Sequence, residues 1–231
     1  MSLSAAPPRL GLFLGELLHV PNVVRHSFAS IAPEGEPGAA PAIVIPGFMA
    51  TDPLTRPLRQ GMGEAGWRTH GWGLGFNRGA RAGLIEEIGE RIDAVRDGRP
   101  ILLVGWSLGG LFARETARSF PDRVSHVVTL GSPFGGSDRR ANNAWRLYEA
   151  VAGHSVDAPP IEHFADKPPV PTLAIWSRRD GIVAERAASG IAGECDRSVE
   201  VDAAHMAMAT QRRAVDRIIP IIENFVRAAD H

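Results

Sequence analysis

The hexapeptide GWSLGG at residues 105–110 directly follows the apolar run Ile101–Val104. The apolar run is typical of a buried strand. The glycines are typical of a sharp turn, because glycine adopts backbone conformations that other residues avoid. A helical pattern runs from about Leu108 to Ser119 and stops before Pro121. The stretch therefore predicts a strand, a tight turn and a helix, with Ser107 at the top of the turn.

The same alternation of apolar runs and helical patterns extends along most of the chain. Strands are predicted at 42–45, 67–72, 101–104, 124–130 and 172–176, with a weaker strand at 199–201. Helices are predicted at 54–65, 81–96, 108–119, 142–151 and 207–228, and Pro220 is expected to kink or divide the last one. Continuous apolar strands that alternate with helices favour an α/β fold, with a mainly parallel sheet covered by helices on both faces.

The N-terminal segment, residues 1–41, is predicted to form a helix or arm followed by a connector, and residues 42–231 a single domain. Its apolar run Leu10–Val20 is interrupted by Glu16 and is too short to span a bilayer. The run lacks a basic leader and a small-residue cleavage site, which argues against a signal peptide. Packing on the domain is the favoured interpretation, and contact with a membrane surface or a partner is the alternative. The predicted location is the cytoplasm, with or without peripheral membrane association.

The composition narrows the classes of function. The formal net charge is −1, so no overall field directs the chain to nucleic acid. A single cysteine, Cys195, excludes an internal disulfide. The sequence contains no metal-ligand cluster, phosphate loop or nucleotide fingerprint, so neither a metal nor another cofactor is predicted.

A serine hydroxyl becomes a nucleophile only with a base beside it, a group that orients the base, and donors for the oxyanion. On a strand-to-helix turn of the G-x-S-x-G kind, the acid and then the histidine follow the serine in the chain. Asp180 follows the strand at 172–176, and His205 follows the weaker strand at 199–201. Sites form at this edge of parallel sheets, so Ser107, Asp180 and His205 are the candidate catalytic residues.

Other acids and histidines fit the pattern less well. Asp157 and Asp166 lie in Pro-rich sequence without a clear preceding strand. His154 and His163 precede Asp180 and so break the expected order, His126 lies inside a predicted strand, and His231 is terminal.

The candidate oxyanion donors are two backbone N–H groups. One belongs to Leu108, directly after the serine, and the other to the loop that follows the strand at 42–45. In that loop Phe48 is the first candidate and Met49 the next.

Five sequence blocks resemble the α/β-hydrolase superfamily, and most of all its small bacterial lipases and esterases. They are IPGF at 45–48, GWSLGG at 105–110, LGSPFGG at 130–136, WSRRDGIV at 176–183 and DAAHMAM at 202–208. The resemblance runs from about residue 42 to the C-terminus and implies that Ser107, Asp180 and His205 form the triad. Two features depart from the family. Pro46-Gly47 stands where many relatives have His-Gly, and the family's first two antiparallel strands are not evident before residue 42.

The resemblance implies a minimal cap, because only about forty residues separate the strands at 124–130 and 172–176. Phe48, Met49, Trp106 and Phe134 are the candidate acyl-pocket residues, with core packing as the alternative role. The expected reaction is hydrolysis of a small-molecule or lipid carboxylic ester through an acyl-enzyme. Acyl transfer or thioester hydrolysis with the same triad stays open, as does a non-catalytic binding scaffold.

Overall fold

The computed structural model describes residues 6–16, 32–136 and 142–229. Its described strands form one sheet in the order β2-β1-β3-β4-β5-β6, and every neighbouring pair is parallel. The strands are β1 Ala40–Ile45, β2 Trp67–Gly71, β3 Ile101–Trp106, β4 Val124–Leu130, β5 Thr172–Trp176 and β6 Arg197–Glu200. The parallel sheet is as predicted, and it brings the loops after all six strands to one edge.

The described helices occupy most of the connections between these strands. They are α1 Leu10–Glu16, α2 Arg56–Glu64, α3 Leu84–Val95, α4 Leu108–Ser119, α5 Trp145–Ala152, α6 Glu185–Ser189, α7 Ala207–Thr210 and α8 Arg212–Ala229. Short 3-10 turns at Asp52–Thr55 and Pro121–Arg123 precede α2 and β4. The predicted helix 54–65 therefore begins as a 3-10 turn and becomes an α-helix only at Arg56.

Helices cover both faces of the sheet, as the apolar strands predict. Alternate side chains of the central strands point to opposite faces, and both sets are buried. Val44 and Val104 belong to the cluster that packs against α2, α7 and α8. Ile43 and Leu103 belong to the other cluster, which packs against α3 and α4. Because the central strands are buried on both faces, they are apolar at nearly every position.

The C-terminal helical region differs from the prediction at Pro220. The division falls instead at Gln211, which has an extended backbone (φ −117°, ψ 124°) between α7 and α8. Pro220 lies inside α8. Proline has no N–H to donate to the carbonyl group four residues earlier, which belongs to Asp216. Both Pro220 and Asp216 are exposed residues, so water can replace the missing donor.

The N-terminal segment forms α1, and residues 17–20 of the predicted apolar run lie outside the described residues. An isolated antiparallel bridge joins Glu34 to Thr69, and the sheet then begins at β1. In the segment between β4 and β5, the described residues contain one helix, α5. None of the helices in the described ranges has the length and hydropathy needed to cross a membrane.

Candidate active site

Ser107 lies between the last residue of β3 and the first residue of α4, where the sequence predicts a sharp turn. Its φ of +54° and ψ of −123° fall in a region that residues other than glycine rarely adopt. The backbone N–H of Ser107 donates to the carbonyl group of Leu130, at the end of the neighbouring strand β4, at 2.8 Å. The turn therefore holds a half-buried serine in a strained conformation at the carboxyl edge of the sheet.

The two glycines around Ser107 are required by close backbone contacts. A Cβ atom on Gly105 would lie 2.3 Å from the Cα of Gly110, and one on Gly109 would lie 2.3 Å from the carbonyl oxygen of Ile45. Both distances are far below van der Waals contact. The G-x-S-x-G pattern thus lets β3, α4 and β1 approach one another closely enough to form the turn.

Asp180 and His205 form a buried pair at the same edge of the sheet. His205 Nδ1 and Asp180 Oδ2 are 2.7 Å apart, and both side chains are almost completely shielded from solvent. The other carboxylate oxygen, Oδ1, accepts the backbone N–H groups of Ile182 and Val183, each at 2.8 Å. These two bonds orient the carboxylate toward the imidazole, which leaves His205 Nε2 as the ring atom available to another group.

Two further contacts bring this pair next to the serine turn. The indole Nε1–H of Trp106, the residue before Ser107, donates to the carbonyl oxygen of His205 at 3.1 Å. Gly131 directly follows Leu130, whose carbonyl group accepts the N–H of Ser107. Because Gly131 has no side chain, it leaves room for the pair of Asp180 and His205. A Cβ there would lie 2.9 Å from Asp180 Oδ2 and 3.0 Å from His205 Nδ1. The ends of β3, β4, β5 and β6 therefore place the pair of Asp180 and His205 next to the turn that carries Ser107.

The alternative acids and histidines are exposed, have partners outside the candidate triad, or lie outside the described residues. Asp157 and Asp166 are exposed. His163 contacts Glu115, and His154 contacts Tyr148 and the Ala80 carbonyl group. His126 is buried within β4 next to the ring of Phe225, and His231 lies outside the described residues.

The pKa of His205 is the result of opposing influences. Burial lowers it by disfavouring the charged imidazolium, but the charge and hydrogen bond of Asp180 and the charge of Glu16 raise it. The net effect is a pKa above the ordinary histidine value of 6.5. The site is therefore suited to accept a proton on His205 and to stabilise the resulting charge.

The loop after β1 reaches the other side of Ser107. A Cβ on Gly47 would lie 3.1 Å from the Cβ of Ser107. The N–H of Met49 donates to the Asn77 carbonyl group at 2.8 Å, so it is not available to an oxyanion. Phe48 is therefore the better of the two predicted donors from this loop. Leu108 is the first residue of α4, where an N–H has no partner within the helix.

Comparison with known proteins agrees with this architecture. A family model described as alpha/beta hydrolase fold matches residues 82–153, which include β3, Ser107 and α4. A lipase-esterase related protein from Clostridium acetobutylicum superposes with a TM-score of 0.63 at 14% identity, over 84% of this chain and 98% of that one. The thioesterase domain from the curacin biosynthetic pathway gives a TM-score of 0.60 at 13% identity, over 83% and 93% of the two chains.

The chain has the α/β-hydrolase fold. A curated relative, the pimeloyl-[acyl-carrier protein] methyl ester esterase of Sodalis glossinidius, is 43% identical over 60 residues. That match covers 26% of this chain and 23% of the relative. The named proteins include an esterase and a thioesterase, so their names do not select one substrate.

A cleft lies beside Ser107. Its cavity volume is about 130 Å³, and it is open to solvent. Ser107, Glu115, Asn142 and His163 contribute polar groups to it. The apolar lining comes from the loop after β1, from α4, from the segment between β4 and β5 and from the loop after β5: Phe48, Leu108, Leu111, Phe112, Trp145, Tyr148, Val156, Pro159, Ile161 and Val183.

Of the four predicted acyl-pocket residues, the structure places only Phe48 in this lining. Met49 is 44% exposed on the loop after β1. Trp106 is buried in the core cluster between the sheet and α7 and α8. Phe134 is fully buried beneath the guanidinium of Arg114, whose Cζ is 4.3 Å from the ring centroid. Apolar residues near this turn either line the cleft or pack in the interior, and Trp106 and Phe134 pack in the interior.

A buried carboxylate, that of Glu115, lines the cleft in addition to its apolar surface. Glu115 Oε1 is 2.8 Å from His163 Nδ1, and Oε2 accepts from Arg118 at 3.2 Å. Burial raises the pKa of Glu115. Four influences lower it by more: the hydrogen bond and charge of His163, the N–H of Phe164 and the charge of Arg118. The net pKa is therefore below the ordinary value for glutamate. The cleft therefore contains an ionised carboxylate on α4, the helix that begins directly after Ser107.

Sequence reasoning indicated no role for Asn77 or Glu16. Asn77 is fully buried and holds the loop after β1: its Nδ2 donates to the Pro46 carbonyl group at 2.8 Å, and its N–H to that of Ala50 at 2.9 Å. Glu16 accepts backbone N–H groups from the loops of Asp180 and His205. Asn77 lies in a glycine-rich stretch and Glu16 in an apolar one. Their roles become visible only from their partners in distant segments of the chain.

Proposed function

We propose that the protein is a serine hydrolase that cleaves carboxylic esters through an acyl-enzyme. The observation that carries the proposal is the buried pair of Asp180 and His205, at 2.7 Å, beside a serine held at positive φ. A fold alone has no need of a strained serine, an orienting carboxylate and an imidazole at one edge of its sheet. An apolar cleft beginning at the same serine supplies the place for an acyl group.

In the proposed reaction, His205 Nε2 takes the proton of the Ser107 hydroxyl as its oxygen attacks the ester carbonyl carbon. The carbonyl oxygen becomes an oxyanion and accepts the N–H groups of Phe48 and Leu108. The imidazolium, stabilised by Asp180, gives its proton to the leaving alkoxide as the carbon–oxygen bond breaks. Water, deprotonated by His205, then attacks the acyl-enzyme, and the acid and free Ser107 are released.

The cleft geometry indicates the length of acyl chain that fits. Ser107 directly precedes α4, Leu111 and Glu115 follow it in α4 at intervals of four residues, and all three line the cleft. At 1.5 Å per residue the distance from Ser107 to Glu115 is about 12 Å, roughly the length of an eight- to ten-carbon chain. An apolar chain that reached the ionised Glu115 would lie against a charge, which is unfavourable. Medium acyl chains are therefore the proposed substrates.

The corresponding experiment measures kcat/KM for p-nitrophenyl esters from acetate to palmitate. We expect kcat/KM to rise with chain length to about eight carbons and to fall for palmitate, because about 12 Å of cleft is available along α4. Leu111→Trp fills the middle of the cleft and should reduce octanoate turnover at least about tenfold while sparing acetate. Absence of turnover for every ester would refute the proposed function. A maximum at palmitate would refute the assignment of the chain length.

The pH dependence of this turnover follows from His205, which must be neutral to act as a base. Its pKa in the free enzyme is raised above 6.5, so kcat/KM should decline toward acid with an apparent pKa above that value. Asp180→Asn removes the main influence that raises the pKa. The acidic limb should then move to lower pH, and kcat should fall roughly 10⁴-fold. An acidic limb that stays in place in this variant would contradict the assigned pair.

A further inference from the structure

One charged residue of the N-terminal helix lies buried beneath the proposed triad. Glu16 is the last residue of α1 and is only 5% exposed, whereas Leu10 and Leu14 of the same helix are 70% and 52% exposed. A carboxylate is rarely buried unless its oxygens are paired. Its partners therefore indicate what the burial of Glu16 achieves.

Three backbone N–H groups donate to the Glu16 carboxylate, and they come from two loops. Oε1 accepts from Gly181 at 3.0 Å and from His205 at 2.8 Å. Oε2 accepts from Met206 at 2.9 Å. Gly181 directly follows the proposed acid, and His205 is the proposed base itself. One side chain thus connects the loop after β5 to the loop after β6.

The surfaces around this contact are shaped to receive α1. A Cβ on Gly181 would lie 2.4 Å from the carbonyl oxygen of Leu12, so the loop can meet the helix only where it carries glycine. Asn143 Nδ2 donates to the Gly181 carbonyl group at 2.8 Å and to the Pro8 carbonyl group at 3.1 Å. The docking of residues 8–16 is therefore fixed from both sides of the acid loop.

We infer that Glu16 is a positioning residue of the triad, which sets the separation of the Asp180 and His205 loops and adds a negative charge beneath the imidazole. The inference rests on the proposed roles of Asp180 and His205. Hydrogen bonds from a charged acceptor are stronger than those between neutral groups, so one carboxylate can hold both loops. Without it, buried N–H groups on both loops lose their acceptor, and the loops relax apart.

The charge of Glu16 affects the pKa of His205, which an uncharged hydrogen-bond acceptor in the same place would not do. Together with Asp180, it is one of the two charged groups in the described chain that raise the pKa of His205. A negative charge near the imidazole favours the imidazolium that forms as the serine attacks. Removing the charge should therefore lower the pKa of His205, whatever happens to the loops.

The variant Glu16→Gln tests both effects. Its amide keeps the size of the side chain, but one oxygen becomes an NH₂ group that cannot accept from the backbone. We expect kcat to fall about 10- to 100-fold with KM within about twofold, because misplacement of catalytic groups affects the chemical step. The acidic limb of kcat/KM should move to lower pH by roughly 0.5 unit. Leu14→Gln, on the exposed side of α1, is the matched control and should leave both quantities unchanged.

A second measurement is independent of turnover. The pKa of His205 can be followed by NMR through its imidazole Cε1–H signal, assigned with His205→Gln. A lower pKa in Glu16→Gln supports the inference even if no ester is turned over, in which case the proposed function alone fails. An unchanged pKa together with unchanged kcat overturns the inference. If Glu16→Gln does not fold, Glu16→Asp decides, since it keeps the charge on a shorter side chain. Reduced kcat with an unmoved pH limb supports the inference, and full activity overturns it.

Discussion

Replacing Ser107 by alanine is expected to reduce kcat on the preferred ester at least about 10⁴-fold, because the variant lacks the oxygen that forms the acyl-enzyme. The thermal unfolding midpoint should change little. Alanine and serine bear a similar strain at a φ of +54°, and the bond from the residue 107 N–H to the Leu130 carbonyl group does not involve the side chain. Steady-state kinetics and a thermal melt measure the two quantities.

Ser119→Ala is the matched control for this variant, since Ser119 is an exposed serine at the other end of the same helix. Its kcat and unfolding midpoint should both equal those of the unmodified chain. If Ser107→Ala retained more than about one hundredth of the activity, another group would have to be the nucleophile.

Gly105→Ala is expected to have the largest effect on stability, because the added methyl group meets backbone atoms. Its Cβ would lie 2.3 Å from the Cα of Gly110 and 2.4 Å from the carbonyl carbon and oxygen of Gly109. None of these atoms can rotate away, so β3 and α4 must separate. A loss of about 3 kcal/mol or more follows, which lowers the melting midpoint by roughly 6–12 °C in a chain of this size or prevents folding.

The control for this change is Gly11→Ala, where a Cβ would meet no atom within 4 Å. Gly11 lies in helix α1, so alanine should be neutral or slightly stabilising by propensity. A melting midpoint for Gly105→Ala equal to that of this control would show that the turn is looser than its close contacts indicate.

The sheet and the candidate triad could be predicted from sequence because their signals are local. Apolar runs marked the central strands, and parallel strands bring their carboxyl ends to one edge. Ser107 and Asp180 each followed such a strand, and His205 followed the weaker edge strand, so their placement at one edge did not depend on knowledge of side-chain contacts. The N–H of Met49 is used by Asn77, and no local pattern could show this.

The remaining features depend on contacts between distant segments. Glu16 is separated from its partners by 165 to 190 residues, and its apolar surroundings in sequence indicated only an interruption of a hydrophobic run. The cleft beside Ser107 is formed partly by Trp145 and Tyr148 of α5. The sequence placed that helix at 142–151 but could not orient it over Ser107. Apolar residues such as Trp106 and Phe134 could not be divided between core and cleft without the packing.

The most direct test of the central claim is covalent labelling with a fluorophosphonate, which reacts with activated serines and requires no knowledge of the substrate. The proposed site predicts one adduct per chain, located on Ser107 by peptide mass spectrometry. Labelling should be slowed at least about 100-fold in His205→Gln, which lacks the base. Absence of an adduct on Ser107 in the folded protein, or equal labelling in His205→Gln, would contradict the assignment of an activated nucleophile.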